Sequence, residues 1–96
     1  MEKAKGKLTF NAWSQEKIDS GDKICISRTK RYEDDPRVDW ISPKLPLWFI
    51  KMFLWEAEGA KNPEELQSVI NQIFRKKVDP SREFYVHFGY FDEEVE

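Results

Sequence analysis

The sequence predicts an α+β fold, and three observations carry that prediction. Residues 84–91, Phe-Tyr-Val-His-Phe-Gly-Tyr-Phe, have the aromatic and β-branched composition of a strand placed centrally in a sheet. Leu66, Val69, Ile70, Ile73 and Phe74 fall at the spacing 0, 3, 4, 7, 8 of an amphipathic helix. The remaining segments complete the order strand, helix, strand, brief strand, two helices and final strand.

Taken from the N-terminus, residues 1–6 read as a frayed end and Leu8-Thr9-Phe10 as a short strand. Asn11 can cap a helix from about Ala12 to Ser20, closed by Gly21. Residues 23–28 form the next strand. Parity places Ile24, Ile26 and Arg28 on one face and Lys23, Cys25 and Ser27 on the other. The polar, proline-marked stretch 31–37 is a loop, and residues 38–41 are a brief strand ended by Ser42-Pro43.

Leu45-Pro46 opens a helix over 47–55, since proline suits a first helical turn. Nine of the eleven residues from Leu45 to Trp55 are apolar. A helix apolar nearly all round is buried or pairs with a partner. Glu58-Gly59 closes it. Asn62-Pro63-Glu64-Glu65 starts the amphipathic helix with a cap, a first-turn proline and two acids at the positive end of the dipole. Arg75-Lys76-Lys77 follows at its C-terminal end, where cations favour the dipole. The acidic tail 92–96 is expected to fray.

Ninety-six residues fit one small domain, 1–96, with an ordered core of about 7–91. No apolar run approaches the roughly 20 residues of a membrane span, and the first residues do not form a signal peptide. The single cysteine, Cys25, excludes an internal disulfide, and with one histidine a structural zinc site lacks soft ligands. A reducing cytoplasm is the expected setting, with no metal and no cofactor.

The net charge of −2 is uneven: residues 1–31 carry eight Lys/Arg against four Asp/Glu, residues 32–65 four against eight, and residues 66–96 four against six. Four cations fall within the nine residues 23–31. The segment 21–32 is thus a stiff strand emptying into cations and Tyr32, a candidate anion or nucleic-acid site. There is no phosphate-binding glycine loop and no nucleophile elbow. Cys25 reads as small core filling and His87 as structural. Lys23, Arg28, Glu58 and the group Lys30, Arg31 and Tyr32 remain. A lysine acts as a base only where burial or a neighbouring cation lowers its pKa, and Arg28 stands near Lys23 in sequence.

Three places in the chain resemble the ASCH domain family, relatives of the PUA RNA-binding fold. Gly21-Asp22-Lys23-Ile24-Cys25-Ile26-Ser27-Arg28 is similar to the family's strand motif of glycine, lysine, threonine and arginine. Glu56-Ala57-Glu58-Gly59 with the helix start at 62–66 resembles its Glu-Gly segment, and Glu83 to Phe88 resembles its closing strand. The resemblance implies a small β-barrel with flanking helices and a cationic cleft for RNA or a modified nucleoside. Some members remove the acetyl group of 4-acetylcytidine, and ribonuclease activity is also associated with the family.

Carried over by position, the family's lysine is Lys23, its arginine Arg28 and its glutamate Glu58. Lys23 would be the general base, Glu58 would hold the exocyclic nitrogen and Arg28 would stabilise the oxyanion. Ile26 stands where the family has threonine, with Ser27 beside it. Arg28, Lys30 and Arg31 are expected to contact phosphate, with Tyr32 or Trp40 stacking on a base. The interval from Arg28 to Glu58 is short for the family and lacks a hairpin, so the barrel is expected to be open or truncated. Trp40 and helix 47–55, or a second copy of the chain in a homodimer, would cover the gap. A protein-interaction module using that helix is a further reading.

Overall fold

A computed structural model describes residues 6–21 and 24–91. The expected fraying at 1–6 and 92–96 falls almost wholly outside these residues. The architecture is α+β: α1 (Ala12–Asp19), β1 (Cys25–Arg28), β2 (Val38–Ile41), β3 (Leu45–Pro46), α2 (Leu47–Phe53), α3 (Pro63–Phe74) and β4 (Glu83–Gly89). The four strands form an antiparallel sheet that does not close. Its order is β1-β4-β2, and β3 also pairs with β4.

The aromatic strand is central, as its composition predicts. Ser27 lies opposite Val86 and Arg28 opposite Tyr85, while on the other edge Ile41 lies opposite His87. A bulge between Val38 and Trp40 absorbs one residue, Asp39, and shifts β2 along β4. Gly89 lies against this irregularity, where an added Cβ would stand 1.9 Å from the Arg37 carbonyl oxygen.

The buried apolar side chains form two clusters. Phe84 and Val86 join Cys25, Leu47, Ile50, Leu66 and Ile70 beneath α2 and α3. Ile26 joins Leu8, Ile18 and Phe91 in a second cluster, with Phe10, Tyr32 and Val38 packed against it. The β1 parity therefore holds: Cys25 and Ile26 are both buried, in different clusters.

Both predicted caps are present. The side chain of Asn11 accepts the Ser14 N–H, and that of Asn62 accepts the Glu65 N–H. Gly59 turns the chain at φ 92°, a conformation open to glycine at no steric cost.

Three readings are corrected. Residues 8–10 are not a strand, because side chains take their backbone groups: Asp35 accepts from Leu8 N–H, and Arg37 and Arg28 donate to the carbonyls of Leu8 and Thr9. Leu45-Pro46 is a short strand on β4 before it is a helix start. Helix α2 stops at Phe53, and it is not wholly buried: Leu47 and Ile50 are, whereas Trp48, Met52 and Phe53 are at least half exposed. The basic triplet stands at the C-terminal end of α3 as expected, with Arg75 as its left-handed cap at φ 55°.

Between β2 and β3, Ser42 splices the pairing. Its N–H donates to the Val86 carbonyl, its Oγ accepts the Val86 N–H at 2.9 Å, and its hydroxyl donates to the Pro43 carbonyl.

Candidate functional site

The edge strand β1 carries the site. Ser27 is the third residue of that strand, and its hydroxyl donates to Oε2 of Glu58 at 2.6 Å. Glu58 sits in the turn after α2, just before Gly59, and is 2% exposed. A buried carboxylate needs hydrogen-bond partners to offset its desolvation, and the hydroxyl is one of them.

Arg28 stands next to this pair. Its guanidinium donates to the carbonyl of Ser27 at 3.0 Å and to that of Thr9 at 2.7 Å. Burial pulls its pKa below the ordinary range, and electrostatic interaction with Glu58 and then with Tyr32 acts against that. An arginine stays protonated even so. It fixes the segment 9–11 against β1 and puts positive charge beside a buried carboxylate.

Between these elements lies a cleft of about 370 Å³. Thr9, Asn11, Ser27, Arg28 and Thr29 supply its polar lining; Ile70, Ile73, Phe74 and Phe84 supply the apolar lining. A small recess of about 30 Å³ shares Ser27, Arg28, Ile70 and Ile73 with it and is also lined by Glu58, Trp13 and Leu66. The volume is within the range of small-molecule sites, and so is the pairing of apolar surface with a few placed polar groups.

The structure thus brings together Ser27, Arg28 and Glu58. Lys23 lies outside the described residues. The other sequence candidates are placed elsewhere. Arg31 pairs with Glu33 at 2.7 Å and lies 5.4 Å from the centre of the Tyr85 ring, which Lys44 also approaches at 5.8 Å. Tyr32 packs edge-on against His87, and Trp40 lies against Phe88. Lys30 is exposed. None of these four lines the cleft.

Ile26 packs into the second core and also lines the recess beside Ser27 and Glu58. Sequence reasoning missed Thr9, Asn11 and Ile73. The first two read as strand and cap, and Ile73 read as core through its place in the helical stripe. Its exposure of 50% is what marks it as a wall residue.

Among the described residues no cluster of His, Cys, Asp and Glu could hold a metal ion. No helix among them is long and apolar enough to cross a membrane. Comparisons with protein-family models, curated proteins and solved structures find no match to this chain.

Proposed function

We propose that the chain is a short ASCH/PUA-like domain, its open sheet a truncated form of that family's barrel, and that it binds a nucleoside-sized ligand, free or within RNA. The carrying observation is the cleft on β1, with Ser27 and Arg28 on its polar side and Ile70, Ile73 and Phe74 on its apolar side. A nucleobase has this same division: flat apolar faces and a polar edge. Its face would lie on the isoleucines, with its edge toward Ser27 and Thr29.

The test is a titration with cytidine, 4-acetylcytidine and a short single-stranded RNA, followed by amide NMR. Shifts should concentrate at Thr29 and Ile73, and Ile73→Trp, which fills the cleft, should weaken binding at least tenfold. Absence of shifts at millimolar ligand, or shifts confined to Tyr85 and its cations, would overturn the reading.

A second reading, amide hydrolysis, draws support from the Ser27–Glu58 hydrogen bond, which sets a hydroxyl beside the position where the family has threonine. Water would add to the acyl carbonyl, the C–N bond would break, and free amine and acetate would leave. Lys23 would serve as base. Acetate release from 4-acetylcytidine by the wild type, lost in Lys23→Ala while binding persists, supports it; no release refutes it.

A further inference from the structure

The chain has one histidine, and it is fully buried at the junction of three segments. His87 belongs to β4. Its Nε2 accepts the backbone N–H of Tyr32 at 3.0 Å, so that nitrogen carries no proton. Its Nδ1 faces the Ile26 carbonyl of β1 at 3.3 Å and must therefore be the donor. The neutral ring is thus used on both sides, and only in one tautomer.

Positive charge faces it from both neighbouring segments: Arg28 from β1 and, from the loop after it, Arg31, itself paired with Glu33, with the Tyr32 ring edge-on at 5.8 Å. From β2 the residue opposite is the apolar Ile41. The loop's own buried carboxylate, Asp35, is engaged by Leu8 and Arg37.

We propose that His87 is an acid-sensitive latch that holds the 29–35 loop onto the sheet and releases it when the ring gains a proton. A proton on Nε2 would set donor against donor at the Tyr32 N–H, and a cation would appear beside Arg28 and Arg31. Burial is the chief influence holding the ring below its ordinary range; hydrogen bonding to the backbone of Ile26 and Tyr85 opposes it, and Arg28 and Arg31 add to it. The latch therefore opens below the ordinary imidazole midpoint of about 6.5. Release would free the loop that anchors Leu8 through Asp35, and with it the Thr9–Asn11 wall of the cleft. This holds whatever the cleft binds.

The experiment follows the His87 ring signals and the exchange protection of the Tyr32 amide from pH 7.5 to 4.5. Protection at Tyr32 should fall by up to tenfold per pH unit below about 6.5, while that of Ile70 in α3 stays constant. His87→Gln, which offers an acceptor and a donor but does not titrate, should abolish the pH dependence. The proposal is overturned if the ring titrates while Tyr32 stays protected, if His87→Gln shows the same fall, or if Ile70 loses protection in parallel. Should the variant not fold, the wild-type ring titration against Tyr32 and Ile70 decides alone.

Discussion

Ser27 and Glu58, 31 positions apart, are joined by a 2.6 Å hydrogen bond from hydroxyl to carboxylate. It links the edge strand to the turn after α2 across the small recess that adjoins the cleft. Hydrogen bonds to charged groups contribute about 1.5–3 kcal/mol, so Ser27→Ala should lower unfolding free energy by that amount. Urea denaturation measures it; a loss below about 0.5 kcal/mol, within the range of neutral surface changes, would show that the bond does not matter to stability.

Asp35 is the clamp of the N-terminal segment. Its carboxylate receives two hydrogen bonds from the Arg37 guanidinium, at 3.0 and 2.7 Å, and one from the Leu8 N–H at 2.8 Å. Burial pushes its pKa up, but the hydrogen bonds from Arg37 and Leu8 outweigh this and hold it below the usual carboxylate range. The folded state therefore binds this proton less readily than the unfolded chain. The contribution is complete above the unfolded value of about 3.9 and is lost as pH falls through the folded one. Asp35→Asn should cost about 3 kcal/mol at pH 7, because it strands a partly buried arginine. The difference from wild type should shrink toward pH 2 in denaturation curves.

Ser42→Ala should remove the acceptor from a buried Val86 N–H, at a cost of about 1–3 kcal/mol. Amide exchange offers a local check: protection at Val86 should fall more than at Phe84.

Gly89→Ala should be among the most damaging single changes. The new methyl would collide with backbone, not with a side chain that can swing away. A loss of about 3 kcal/mol or more is expected, measured by thermal unfolding.

Trp48→Lys and Phe53→Glu, by contrast, should alter stability by less than about 0.5 kcal/mol, since both side chains are at least half exposed. If a second copy of the chain covers this face, light scattering should show a mass that rises with concentration in wild type and stays constant in the double variant.

What could be read from sequence was local. Asn11 and Asn62 are caps decided within three residues, and the stripe of α3 is decided within one helix. The centrality of β4 followed from composition. The features that escaped depend on distant partners. Leu45-Pro46 carries a true helix-start signal, yet its strand pairing rests on Phe84 and Glu83. Residues 8–10 read as a strand, but whether they pair as one depended on Asp35 and the two arginines. Parity put Ser27 opposite Ile26 correctly; only the return of Glu58 from 31 residues away gives that orientation a chemical meaning.

Every described strand pairing uses β4. During synthesis β1, β2 and β3 are made first and must wait for their common partner. The helices can form as they emerge, whereas the sheet has to assemble late and nearly at once, around the last strand to arrive. Long sequence separations of this kind slow folding and lengthen the time for which apolar strands stand unpaired. A chain whose β4 has not yet joined the sheet is therefore the form most exposed to mispairing.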